Sequence, residues 1–408
     1  MSQPGAADTF CEECNQHYRL GRARAGQSLK CRRCGHALRH VPRQPLQAPL
    51  ALAIAALSLF PLIFCFSFLG ISQGGNTTAI EFWQTTSGLT EGYYYLVATL
   101  LVLGLMLFPL IDLVIIAYLY GQLALGHKPE HAKPLLLVHH QLRMWLMVDV
   151  FLIGVLVALV KITAYADIQF GLSFWAFCLF VCLYLATLTS VDRHYLYQQC
   201  LGPLQTVNPA PNQPLWPCSH CHQLNLEPGR CRRCQASLQQ RKAGGLERPL
   251  AFLLAAVVLY IPANVHPIMT TSTLGVAEPS TILGGVVLLW QLEDYPIALV
   301  IFIASVFVPI AKMIAIAWLC WTVYRRQPHS PQEMTRMYRI TEFIGRWSMI
   351  DVFVVALLAA LIQIQGLANV TPGPAAVSFA AVVVLTMLAA ASFDPRLIWD
   401  HCADASHG

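Results

Sequence analysis

Charge is scarce in this 408-residue chain: Asp, Glu, Lys and Arg together make up 12% of it, against 56% hydrophobic residues. So little polarity cannot clothe a soluble enzyme of this length, which makes lipid part of the solvent. Lys and Arg are missing altogether from the stretches 70–93, 166–170, 270–295 and 366–374, although these carry Glu81, Glu91, Asp167, Glu278, Glu293 and Asp294. Translocated loops lack positive charge, whereas short cytoplasmic loops keep it. The net charge of +5 is accounted for by that sidedness and gives no reason to invoke nucleic acid. No P-loop, dinucleotide fingerprint, nucleophile elbow or zincin motif occurs in a supporting context, so no chemical active site and no enzyme is expected. No cleavable leader is expected, because the first apolar run starts near residue 49, behind a polar cysteine-bearing segment.

What the chain has in abundance is long apolar runs. A hydrocarbon layer of about 30 Å needs some twenty helical residues at 1.5 Å each. Eight runs meet that length, at about 49–69, 94–120, 144–164, 170–189, 249–269, 296–322, 347–365 and 375–392. Basic residues cluster before the first run, around Lys128, Lys133 and Arg143, from Arg193 to Arg248, from Arg325 to Arg346, and at Arg396. Only Lys161 and Lys312 lie within runs. Both termini and the central linker are therefore expected on the cytoplasmic side.

Cysteine is spent in two clusters. Cys11, Cys14, Cys31 and Cys34 form one CxxC pair of pairs, and Cys218, Cys221, Cys231 and Cys234 form another about 200 residues later. Each second pair reads CRRC, and 16 and 9 residues separate the pairs, enough for a zinc-ribbon hairpin. Disulfides do not persist in a reducing cytosol, so metal is favoured. Four soft ligands with no spare position describe a closed structural site, with zinc the expected occupant and rubredoxin-like iron the second.

The chain is duplicated. At offsets of 200–207 the CRRC at 31 meets that at 231, Pro109 meets Pro309, the segment from Trp145 to Phe151 meets that from Trp347 to Phe353, and Asp192 meets Asp394. The fold class that follows is an all-α polytopic membrane protein, with eight transmembrane helices in two repeated four-helix modules. Each module is preceded by a small cytoplasmic zinc ribbon. The divisions are 1–47 for the first ribbon, 48–200 for the first module, 201–247 for a linker carrying the second ribbon, and 248–408 for the second module and tail. Ser330, Pro331 and Glu333 read as a capping box opening a short amphipathic helix, with Met334, Met337, Tyr338, Thr341 and Ile344 at helical spacing.

Ionisable groups at membrane depth are costly and therefore informative. Asp149 and Asp351 lie within about eight residues of the cytoplasmic ends of their runs, no more than roughly 12 Å deep by helical rise. Asp112 and Lys312 lie at similar depth, three residues beyond Pro109 and Pro309. Lys312 with Asp351 is expected to pair, whereas Asp112 with Asp149 would bring two acids together as a proton-sharing site. Ser348 and Asn264 add polarity in the second half. These groups read either as glue between helices or as the polar part of a transport path, and both readings stand at this point.

The two cysteine clusters, the paired modules, and Tyr260, Pro262, Asn264, Pro267 and Met269 with Pro309, Lys312, Trp347, Asp351 and Phe353 together resemble the paraquat-inducible protein A family. The resemblance covers nearly the whole chain. It implies a component of a Gram-negative inner membrane with two cytoplasmic zinc ribbons, working with a periplasmic MCE-domain partner to move phospholipids between membranes. The first half departs from the motif, with Asp112 opposite Lys312 and Leu146 opposite Ser348, so a carried-over polar site belongs to the second half. Two other classes remain open: a membrane redox protein using the CxxC clusters, and a zinc-ribbon sensor or assembly scaffold.

Overall fold

The computed structural model describes residues 7–20, 25–73, 76–81, 99, 102–143, 145, 146, 148–162, 167–207, 213–273, 276–325, 330–350, 353, 363, 364 and 368–404. Among these, six helices are long and apolar enough to cross a membrane: Gln47–Cys65, Leu103–Ala124, Leu172–Ser190, Glu247–Val265, Ala298–Arg325 and Pro374–Asp400. The third expected run forms the 15-residue helix Val148–Ile162. Most of the seventh, including Asp351, lies outside the described residues.

The first module comprises α1 (Gln47–Leu59), α2 (Leu62–Cys65), α3 (Phe108–Ala124), α4 (Ala132–Leu142), α5 (Val148–Ile162), α6 (Leu172–Ser190) and α7 (Arg193–Leu201). The second comprises α8 (Glu247–Val265), α9 (Ile282–Gln291), α10 (Tyr295–Phe302), α11 (Val308–Arg325), α12 (Pro331–Trp347), α13 (Pro374–Ser392) and α14 (Leu397–Asp404). The repeat is preserved element by element: α1 packs on α6 and α3, and α8 packs on α13 and α11. Small side chains let these helices approach, with Ala53, Ala56, Ala256 and Ala263 fully buried, while Ile54, Leu254 and Ile261 point outward more than half exposed. Such outward apolar faces are what lipid contact requires.

The turn before each mid-span proline is a π-helix, Leu103–Leu107 in one module and Ile303–Phe307 in the other. Proline has no N–H to give the carbonyl four residues back, and its ring crowds that carbonyl. Widening the turn removes the conflict, as Phe108 N–H donates to Leu103 O and Val308 N–H to Ile303 O, five residues back.

The ribbon hairpins pair β1 (Ala7–Phe10) with β2 (His17–Leu20) and β3 (Ser28–Lys30) with β4 (Ala37–His40), then β8 (Trp216–Pro217) with β9 (Leu224–Asn225) and β10 (Gly229–Arg230) with β11 (Ser237–Leu238). Strands beyond these were not part of the all-α expectation, yet each module carries a sheet at the end remote from its ribbon. In the first, β5 (Ser67–Gln73) lies between β6 (Asn76–Glu81) and β7 (Asp167–Phe170), all antiparallel. In the second, the order is β13 (Val276–Ser280), β12 (Met269–Thr273), β15 (Ala368–Pro372), β14 (Gln363–Ile364). The sheet tucks its strands against the helix that follows. At Gly171 an added Cβ would lie 1.9 Å from the Ser67 carbonyl oxygen, and at its repeat partner Gly373 2.1 Å from that of Pro267. Only glycine allows either junction.

The helix opened by Ser330 is present as α12. Met334, Thr335, Tyr338, Thr341 and Gly345 form its buried face against α11 and α13. Asp192 and Asp394 anchor the ends of their modules: Asp192 accepts from Tyr195 N–H at 3.2 Å and Asp394 from Arg396 N–H at 3.1 Å.

Candidate functional site

The two ribbons repeat one turn four times. After each CxxC, the next residue has a left-handed backbone: Asn15 (φ 55°), Gly35 (φ 74°), His222 (φ 58°) and Gln235 (φ 66°). Its N–H donates to the carbonyl of the first cysteine, at 2.9, 2.8, 3.0 and 2.9 Å respectively. That turn aims both sulfurs inward. All four Sγ atoms of each cluster lie within 4.8 Å of one another, with Cys11–Cys34, Cys14–Cys31, Cys218–Cys234 and Cys221–Cys231 at 3.5 Å. Sulfurs at the corners of a tetrahedron around zinc stand roughly 3.8 Å apart for bonds of about 2.3 Å, so the donor set fits a metal. Hydrogen bonding among the sulfurs pushes the Cys34 and Cys231 thiols well down and the Cys11 and Cys221 thiols well up. A cation held at the centre favours the thiolate at all four.

Each ribbon rests on a module. The first sits beneath the second module, where Arg339 of α12 grips the Glu13 carboxylate from Nε at 3.0 and 2.9 Å and donates from Nη2 to Cys34 O at 2.9 Å. Arg396 Nε donates to Glu12 O at 3.0 Å, and the Arg33 guanidinium lies 4.5 Å from the Trp399 ring centroid. The second ribbon packs beneath the first module against Leu136, Leu196 and Tyr197. The His140 and His220 rings stand 4.7 Å apart at that junction. The ribbons also meet each other, with His222 Nε2 3.6 Å from Glu12 Oε1.

The intramembrane groups fall into two unlike sets. Lys312, 3% exposed, lies against α12 at Gly345, where a Cβ would come within 3.2 Å of Nζ. Glycine is what gives the ammonium room. Nζ has no hydrogen-bond partner among the described residues, and Asp351, its expected partner, lies outside them. Ser348 is buried nearby in sequence, and Asn264 is half-buried, its Nδ2 donating to Tyr260 O at 2.8 Å. In the first module Asp112 is fully buried, but the neighbours holding it are not a second acid. His139 Nδ1 lies 2.6 Å from Oδ1, and the Tyr184 hydroxyl donates to Oδ2 at 3.2 Å. Asp149 occupies the half-buried first turn of α5. Neither His139 nor Tyr184 stood out in the sequence. A histidine on the short helix after a span carrying a carboxylate is the signal that would have found the pair.

Two repeated apolar modules, crossed by apolar helices and joined to two closed tetracysteine clusters, define a multi-pass membrane protein with two candidate metal sites. Residues 46–200 and 246–403 each match the paraquat-inducible protein A family, so the match itself is duplicated, and the chain belongs to that family. It is 39% identical to the intermembrane transport protein PqiA of Escherichia coli (strain K12), over 98% of both chains. It is 31% identical to the lipophilic envelope-spanning tunnel protein A of the same organism, over 96% of this chain and 90% of that one. A probable intermembrane transport protein of Haemophilus influenzae is 27% identical over 95% of each. No solved structure matches the chain.

Proposed function

We propose that this chain is the inner-membrane component of an intermembrane phospholipid transport system, loading lipids into, or receiving them from, a periplasmic MCE-domain tunnel. The observation that carries the reading is end-to-end similarity to proteins named for intermembrane transport, in a chain whose second module buries an ammonium without a described partner beside an opened helix turn. A phospholipid must bring a charged headgroup past hydrocarbon, so its carrier needs an apolar path with a few polar groups deep within it. Lys312, Asp351, Ser348 and Asn264 are the groups we assign to that path in the second module, with Asp112 and Asp149 in the first.

On this reading the chain crosses the membrane eight times, with α5 and the 347–365 segment joining the six long helices. The sheets face the periplasm, and the termini and both ribbons face the cytoplasm. The ribbon ends of both modules collect the basic residues, and the loops that build the sheets have none, a charge bias that supports this sidedness. Zinc is the metal we assign to both clusters, where it would lock the ribbon turns and so brace the cytoplasmic face. Closed, buried thiolate sets of this kind favour a structural role over redox cycling.

The test is phospholipid transfer from vesicles containing the full chain to acceptor vesicles, with and without the periplasmic MCE-domain protein. Transfer requiring both proteins is the expected result. Equal transfer from vesicles lacking the chain would overturn the reading.

A further inference from the structure

The Asp112, His139 and Tyr184 cluster has a chemistry of its own. Both Asp112 oxygens accept, one from His139 Nδ1 and one from the Tyr184 hydroxyl. An ionised carboxylate has no hydrogen to give, so beside it Nδ1 is the donor, and in the neutral imidazole Nε2 then presents its lone pair. His139 is 2% exposed, and Nε2 has no hydrogen-bond partner among the described residues. The molecule thus keeps an unpaired nitrogen base, backed by a carboxylate, where water is scarce.

The duplication supplies an internal comparison. At the equivalent places the second module has Lys312 for Asp112, Thr341 for His139 and Thr386 for Tyr184, and both threonine hydroxyls donate to carbonyls of their own helices. The backbone elements are shared, and the buried charge is inverted. A cluster needed only to hold the repeated helices together would not have to change sign between the copies.

We propose that His139, Asp112 and Tyr184 form a proton-binding site in the first module, with His139 Nε2 as the atom that takes the proton. In the step, Nε2 gains an N–H bond and no other covalent bond changes. The pair passes from neutral imidazole with carboxylate, net charge −1, to imidazolium with carboxylate, net charge zero. Neutrality is what a low-dielectric setting favours, and Asp112 is placed to stabilise the imidazolium through Nδ1. The groups facing the site are Arg143 beyond α4 and Asp149 on α5, both within electrostatic reach of Tyr184, together with His140 on α4 and Arg193 on α7, which bears on His140. The site goes beyond the lipid reading, because it stands whatever cargo the chain moves.

Infrared difference spectra of the full chain, histidine-labelled and held in lipid nanodiscs, between pH 8 and pH 5 test it, with the proton itself as probe. The wild type is expected to show an imidazole-protonation band that is lost in His139→Gln and displaced to lower pH in Asp112→Asn. Tyr184→Phe should shift the Asp112 carboxylate band while metal content stays unchanged. If His139→Gln does not accumulate, Asp112→Asn decides alone. Spectra of His139→Gln that superimpose on the wild type, or an unmoved band midpoint in Asp112→Asn, would overturn the assignment. Because the spectra read protons and not lipid, failure here leaves the transport reading untouched, and the reverse also holds.

Discussion

At the scale of single residues, histidines tune the junction between ribbons and membrane modules. Burial, aided by Arg193, pushes His140 down to about 4, and burial with Arg39 and Arg233 pushes His194 down to about 3. Both are neutral in the folded chain and gain a proton near 6.5 when unfolded, so the unfolded state binds more protons as pH falls. Their stabilising effect is complete above about 6.5 and is lost progressively toward 4. Thermal unfolding monitored at the ribbons should therefore shift to lower temperature between pH 7 and pH 5, and His140→Gln should flatten that dependence. A variant with the wild-type slope would remove His140 from the explanation. Residue chemistry was only half legible in advance. The eight cysteines announced their clusters because each CxxC is local, whereas the partners of Asp112 come from helices 27 and 72 residues away and no local pattern joins them.

At the scale of elements, the repeat dictates where freedom ends. Gly171 and Gly373 each stand before a long apolar helix where a backbone carbonyl, of Ser67 in β5 and of Pro267 just ahead of β12, presses on the chain, and the contact an added methyl would make is shorter than any van der Waals distance. Gly373→Ala should cost about 3 kcal/mol or more, since the neighbour is backbone and cannot yield cheaply. Gly285→Ala, where an added Cβ meets nothing within 4 Å, is the control expected to stay within about 0.5 kcal/mol. Melting curves of the two in the same detergent check the contrast, and equal stabilities would contradict it. The apolar helices themselves were readable from run length, and the helix after Ser330 from its cap and spacing. The strands were not, because β5 begins within the first apolar run and β12 is a five-residue stretch of mostly Thr and Ser without alternation, so neither declares a strand period.

Taken as a whole, the molecule is two copies of one module tied across their ribbon-bearing ends. The first ribbon reaches to Arg339, Arg396 and Trp399 of the second module while Arg39 holds it to Asp192 of the first, and the second ribbon stays with the module before it. Sequence order alone leaves that choice open, because short linkers permit either neighbour. Opening one ribbon should therefore expose a defined half. Cys11→Ser with Cys14→Ser is expected to halve the bound metal and to open trypsin sites around Arg336 and Arg339, leaving cleavage around Arg143 unchanged. Cys218→Ser with Cys221→Ser should do the converse, and identical digests from the two variants would argue against the exchanged arrangement.

The buried Lys312 of the second module is the feature on which the transport account turns, and phospholipid transfer by the full chain with the proposed MCE-domain protein measures it directly. Lys312→Ala and Asp351→Ala, each at wild-type expression and metal content, are predicted to cut the transfer rate at least about tenfold, equivalent to about 1.4 kcal/mol in the barrier. Wild-type rates in both variants would contradict the account and leave the pair as a bond between helices.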